Sequence, residues 1–144
     1  TLPGGRFFHP HPEFFAALIP WSDKIIVDCG TGAGELPKEA WAYGIRMLGV
    51  DISGRDGQDS KVLRIDARDF AWGPKFVALI CRPSHDGWSY GCAGAARAKG
   101  SPVLYAGFSR NFRTDLGGAP KLVAKGVGQQ GESLYLLGPY KGAL

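Results

Sequence analysis

Residues 25–35 read "IIVDCGTGAGE", an apolar, β-branched run that meets an acid and then breaks into alternating glycines. Ile25, Ile26 and Val27 are apolar on both faces of an extended chain, the pattern of a central parallel strand covered by helices on each side. Gly30, Gly32 and Gly34 follow it directly, so the backbone can turn sharply and approach a ligand closely before a helix begins. Such a loop either holds a ligand or only turns the chain, and many strand-to-helix turns carry two glycines for steric reasons alone. The surrounding residues decide between the two.

Working outward, strand-length apolar runs recur as "IRMLGVDIS" (45–53), "KVLRIDA" (61–67), "FVALICRP" (76–83), "PVLYAGFS" (102–109) and "SLYLLGPY" (133–140). Between the first two strands, "ELPKEAWAYG" (35–44) reads as a helix with Leu36, Ala40 and Tyr43 on one face, Pro37 near its start and Gly44 at its end. A further helix fits "PEFFAALI" (12–19), ahead of the first strand. A short one, weakened by glycines, fits "GWSYGCAGAARAKG" (87–100). In "TDLGGAPKLVAKGVGQQG" (114–131), Leu122 and Val123 suit a short helix, while Gly117, Gly118 and Pro120 interrupt anything longer. The sum is an α/β domain built on an open, mostly parallel sheet of about six strands.

Composition bounds the function. A chain of 144 residues, 44% apolar and 21% charged, suits one soluble domain spanning residues 1–144. No run of about 18 apolar residues is present, and "TLPGGRFF" lacks the pattern of a secretory signal; a cytoplasmic protein without membrane attachment is expected. Cys29, Cys81 and Cys92 form no C-x-x-C pair, which points to packed, reduced thiols rather than disulfides or a zinc site. His9 and His11 have no evident third ligand, so no metal is expected. The net charge of +4 is uneven: residues 76–144 carry eight Lys/Arg against three Asp/Glu. Arg97, Lys99, Arg110, Arg113, Lys121, Lys125 and Lys141 could face an anionic partner such as nucleic acid, or could be a solvated surface.

The acids answer the question of the glycine loop. Asp28 lies two residues before Gly30, Asp51 ends the second strand and Asp66 the third, so three strands deliver carboxylates to one sheet edge. Ligands of open α/β sheets bind at that edge, where the strand order reverses. A carboxylate after the second strand can accept the hydroxyl hydrogens of a ribose, and Asp51 takes that role. Asp66 could accept from an exocyclic amine with the backbone of Ala67 beside the ring, and Asp28 could orient the loop or meet an ammonium group. A G-x-G-x-x-G dinucleotide loop would need glycine where Glu35 stands, and no Gly-Lys-Ser/Thr follows for a phosphate loop.

The succession "VDCGTGAGE", "GVDIS" and "RIDARDF" resembles the first three motifs of class I S-adenosylmethionine-dependent methyltransferases, over about residues 7 to 85. The resemblance implies a Rossmann-like sheet with helices on both faces and an antiparallel last strand. It also implies S-adenosylmethionine as cofactor, with Gly30 and Gly32 around its methionine part, Asp51 on the ribose, Asp66 with Ala67 at the adenine, and Asp28 supporting the loop. "RFFHPHPEFF" is similar to the opening of adenine-methylating members, which places Phe8 and Pro10 against the cofactor.

The fourth strand departs from the family. Amine-methylating members end it with Asn or Asp, two prolines and an aromatic; here "ICRPSH" puts Arg82 at the acceptor position, Pro83 after it, Ser84 at the second proline and His85 at the aromatic. Arginine has donors and no acceptor, so it cannot hold an amine with its lone pair aimed at a methyl group. His85, beside Asp86, could act as a base; Arg82 could hold a substrate phosphate or carboxylate. Trp88 and Tyr90 could wall a flat group. Cys81 is read as a packing residue, because the cytosine-methylating pattern has Pro before Cys. Three outcomes follow: methyl transfer to a nucleic acid or other anionic acceptor, with residues 82–91 and 108–120 or a partner chain choosing the substrate; a non-catalytic cofactor-binding module serving as sensor or partner subunit; or a Rossmann-like interaction protein with a vestigial pocket that binds through its basic face, a reading that three aligned carboxylates disfavour.

Overall fold

The computed structural model describes residues 8–53, 61–82, 88–109 and 120–137. In chain order the elements are α1 (Pro12–Leu18), β1 (Ile25–Cys29), α2 (Glu35–Ala42), β2 (Met47–Val50), β3 (Val62–Leu63), β4 (Phe76–Cys81), α3 (Trp88–Ala98), β5 (Val103–Gly107), β6 (Lys121–Ala124) and β7 (Ser133–Leu137), with single 3-10 turns at Ile19–Trp21 and Ala67–Asp69. The seven strands form one sheet in the order β3-β2-β1-β4-β5-β7-β6. Strands β1 to β5 run parallel, and β7 runs antiparallel to both β5 and β6. The order reverses beside β1, whose partners are β2 on one side and β4 on the other. The carboxyl ends of those three strands therefore border the crevice that such a reversal creates.

Alternation along each strand explains why the runs are apolar throughout. Ile26, Val77, Leu79, Leu104 and Ala106 face one layer, where they meet Phe14, Phe15 and Leu18 of α1 and Leu36 and Ala40 of α2. Val27, Cys29, Ala78, Ile80 and Val103 face the other, where they meet Cys92, Ala93 and Ala96 of α3. Small side chains let α3 form and lie close to the sheet despite Gly91 and Gly94. Cys29 and Cys92 are buried and Cys81 half-buried, all as free thiols. Burial holds the Cys29 thiol well above its usual range and pushes Cys92 up to about 12, so both stay protonated and inert.

One segment whose form the sequence leaves open is a strand: Leu122 and Val123 lie in β6, a seventh strand. Its residues Lys121 and Leu122 pair with Leu136 and Tyr135 of β7, and a bulge follows before Ala124 meets Leu134. Four residues after Pro120 cannot nucleate a helix unaided, whereas β7 offers a ready edge. Another is shorter than expected: β3 retains two residues, because the chain leaves the edge of the sheet after Leu63 to make the turn at Ala67–Asp69.

The connection between β6 and β7 gathers two distant segments. The stretch before α1 runs along it, with an isolated bridge between Pro10 and Gly128, His11 N–H donating to the Val127 carbonyl and Gln129 N–H donating to that of His9. Phe8 is buried there, edge-on to Phe14. Glu132, 1% exposed, accepts the backbone N–H of Gln130 at 2.9 Å and a charged hydrogen bond from Arg82 Nη1 at 3.1 Å. Arg82 follows β4 in a left-handed conformation, φ 48°. The same Nη1 donates to Gln130 Oε1 at 2.9 Å, and the guanidinium stands 5.4 Å from the centre of the Phe108 ring.

Two predictions follow from this packing. A Cβ added at Gly49 would stand 2.3 Å from Thr31 Cγ2, so Gly49→Ala should cost about 1–3 kcal/mol. Urea unfolding checks it; an unchanged midpoint would mean that Thr31 moves aside freely. The Arg82–Glu132 pair should be asymmetric, since Arg82 is 31% exposed and can hydrate while Glu132 cannot. Arg82→Met, which strands a buried carboxylate, should cost about 3 kcal/mol, the low end for a broken buried pair. Glu132→Gln should cost about 1 kcal/mol. Equal losses in urea melts would contradict this ordering.

Candidate functional site

Three backbone positions with φ of 71°, 67° and 87°, at Gly30, Gly32 and Gly34, carry the chain from β1 into α2. Side chains are disfavoured in that region, which is why the spacing is glycine at every second residue. The loop is tied to β2, because Gly30 and Thr31 both donate their N–H to the Val50 carbonyl, at 2.8 and 3.1 Å. Asp51, the next residue, closes the loop: its Oδ2 accepts Gly32 N–H at 2.8 Å. Its Oδ1 accepts the backbone N–H and the hydroxyl of Ser53, at 2.8 and 2.6 Å. A carboxylate offers about four acceptor sites, so Asp51 keeps one, and a second becomes available when the Ser53 hydroxyl rotates.

Asp66 caps the turn at Ala67–Asp69, its Oδ1 accepting Arg68 N–H at 2.9 Å. The Arg68 side chain folds back on the same carboxylate, with Nη2 2.6 Å from Oδ2 and Nε 3.0 and 3.2 Å from the two oxygens. The Trp88 indole lies beside it in the lining of the same cleft. Chiefly through the Arg68 side chain, the Asp66 carboxyl is held at about 2.

Between these acids lies a cleft of about 240 Å³ lined by Gly30, Asp51, Ile52, Ile65, Asp66 and Trp88. A Cβ at Gly30 would come within 3.0 Å of the Trp88 ring, so the first glycine also admits the indole against the loop. Sites for drug-sized ligands usually span roughly 300–1,000 Å³, and this one suits a nucleoside-sized group. Ile52, Ile65 and Trp88 offer apolar walls for a flat ring; Asp51 offers acceptors for hydroxyls, and Asp66 can accept from an amine once the Arg68 side chain moves aside. Two buried hydroxyls, Thr31 Oγ1 and Ser89 Oγ, have no hydrogen-bond partner among the described residues. Each is next in sequence to a lining residue, so the wall has polar capacity to spare.

The structure thus brings Gly30, Asp51 and Asp66 to one cavity, with Gly32 joined to it through Asp51. Asp28 does not line it: the side chain is buried on the β1 face that carries Ile26. Ala67 is buried in its turn, its carbonyl accepting Trp72 Nε1–H at 2.8 Å. Phe8 and Pro10 lie against the β6–β7 connection rather than along the cleft. Arg82 stands at the end of β4, engaged with Glu132 and Gln130. Pro83, Ser84, His85 and Asp86 fall outside the described residues, as do Arg110, Arg113 and Lys141. Of the basic residues in the second half, Arg97 is buried, while Lys99, Lys121 and Lys125 are exposed. Three participants escaped sequence reasoning. Ile52, 71% exposed beside an acid, carried a usable signal; Ile65 and Arg68 acquire meaning only from the turn that brings them back. Among the described residues no His, Cys, Asp and Glu group could hold a metal ion, and no helix is long and apolar enough to cross a membrane.

No protein-family model matches the chain, and no curated protein matches its sequence. Solved structures do resemble it. A proposed methyltransferase, yhhF of Escherichia coli, superposes with a TM-score of 0.62 at 15% identity, over 87% of this chain and 84% of that one. A proposed methylase of Haemophilus influenzae gives 0.57 at 12%, over 87% and 86%. The magnesium protoporphyrin IX methyltransferase of Synechocystis PCC 6803, solved with bound S-adenosylmethionine, gives 0.58 at 11%, over 88% and 76%. At such identities the likeness concerns architecture, and the architecture is the Rossmann-like fold of class I S-adenosylmethionine-dependent methyltransferases.

Proposed function

We propose that the chain binds S-adenosylmethionine in the cleft between Gly30, Asp51, Asp66 and Trp88 and uses it to methylate a nucleic-acid or other anionic acceptor. One observation carries the reading: two carboxylates and an apolar wall meet in a nucleoside-sized cleft where the strand order reverses. The residues present fit the cofactor. Asp51 would hold the ribose through its remaining acceptor site and the one that Ser53 can release. Ile52, Ile65 and Trp88 would flank the adenine, and Asp66 would face its amine. Gly30 and Gly32 would border the amino-acid part, with Asp28 and Ala67 as supports from below. When bound, S-adenosylmethionine supplies an electrophilic methyl group on sulfur, and the chain's task is to orient a nucleophile toward it.

A second reading is favoured by Arg82. At the position where amine-methylating relatives carry an acceptor, this residue is a donor already paired with buried Glu132. A cofactor-binding module without turnover, acting as sensor or as partner of another subunit, would have no need of an acceptor there. Under the catalytic reading, His85 would be the base and Arg82, with Pro83, would shape the acceptor side.

Isothermal titration calorimetry with S-adenosylmethionine and S-adenosylhomocysteine, with NAD as control, should give saturable binding of the first two only. Absence of heat and of thermal stabilisation with both would sink the reading. Asp51→Ala should weaken either ligand about 10- to 100-fold, as expected when hydrogen bonds to a charged, half-buried acceptor are lost. The circular dichroism spectrum should be preserved; full affinity in the variant would remove Asp51 from the ribose. Binding without methyl incorporation into DNA, RNA or protein mixtures would favour the module over the enzyme.

A further inference from the structure

The Asp66 carboxylate is crowded before any ligand arrives. The Arg68 side chain makes three contacts within 3.2 Å and the Arg68 backbone N–H adds a fourth. A carboxylate has about four acceptor sites, so an amine donor can reach Asp66 only by displacing one of these. The backbone N–H is fixed by the turn. Arg68 is the movable member, its side chain 52% exposed against 17% for Asp66. Its stem lies on α3, with Cδ 3.1 Å from where a Cβ of Gly91 would be.

We infer that Arg68 is a specificity-determining residue that competes with the ligand's base for Asp66. The inference rests on the proposed cofactor reading and goes beyond it. With Arg68 in place, the polar edge of the cleft presents guanidinium donors; with Arg68 swung out, it presents carboxylate acceptors. A base with an exocyclic amine must displace Arg68, whereas a base with an oxo group at that position accepts from it directly. The contact therefore lowers the affinity for adenine and narrows the preference for adenine over its oxo counterpart. Solvent exposure makes the pair weak enough to yield.

Arg68→Met keeps the stem against Gly91 and removes every side-chain donor, while the backbone N–H that Asp66 caps is retained. The variant and the parent chain would each be titrated with S-adenosylhomocysteine and S-inosylhomocysteine by calorimetry. The variant should bind the adenine ligand about three- to five-fold tighter and the hypoxanthine ligand no tighter, so that the preference ratio rises. A ratio that is unchanged or falls, with the parent chain binding S-adenosylhomocysteine, overturns this inference alone. No binding of S-adenosylhomocysteine by either protein overturns the cofactor reading and the inference together. A second measurement is independent of ligand: the Asp66 carboxyl, held at about 2, should titrate nearer to its usual 3.8 in the variant, followed by carbon-13 NMR. Since the folded value is depressed, the stability that the pair contributes is present above the ordinary carboxyl range and lost as pH falls toward 2. An unmoved midpoint would show that Arg68 does not hold Asp66, and would also overturn the inference.

Discussion

The hydrogen bond from Gly32 N–H to the Asp51 carboxylate ties the glycine loop to the end of the second strand, and the geometry of the cleft is referred to it. A loop of left-handed glycines has no side chains of its own to pack, so its shape must be imposed from outside. Val50 and Asp51 impose it from the adjacent strand, through two backbone hydrogen bonds and one to a carboxylate. Thr31, held over Gly49, keys the loop sterically to the same strand. Gly30 is left exposed toward the cleft, close enough for Trp88 of α3 to reach it. The two layers of the domain thus meet at one turn of backbone.

Much of this was legible in the sequence, for a physical reason. Central parallel strands are apolar on both faces, so β1, β4 and β5 announce themselves as uninterrupted runs, and acids just beyond β2 and β3 mark where the chain emerges from the sheet. The fold class, the reversal point and the grouping of Gly30, Asp51 and Asp66 come from these signals. The two sides of the cleft that come from far away did not. Trp88 could be proposed only as some aromatic wall, and Arg68 is two residues from Asp66 in a pattern, "DARD", that reads equally as a solvated turn. β6 was hidden because an edge strand four residues long has no periodicity to detect, and its pairing partner lies on the far side of a glycine-rich connection.

The end of β4 is where family pattern and chain diverge most, and the structure gives the divergence a local logic. Arg82 is bent into the left-handed region and joined to the buried Glu132, whose carboxylate also accepts the backbone N–H of Gln130. A glutamate at that depth needs a cation, and Arg82 reaches it from the end of β4, across β5. Nothing in "GQQGES" distinguishes a buried glutamate from a loop one, so the partnership could not be read in advance. It means that the chemistry at the fourth strand and the geometry of the β6–β7 connection are not independent variables.

The bridge of Pro10 to Gly128 joins opposite ends of the described chain. Closing so long a segment is entropically costly until the intervening sheet exists, so this contact belongs to the last events of assembly. Its backbone hydrogen bonds at His11 and Gln129 hold the segment before α1 against the β6–β7 connection. The margin that carries Phe8 and Glu132 thereby joins the core of β1 and β4, with Phe8 and Val127 buried in the same cluster as Ile26 and Leu79.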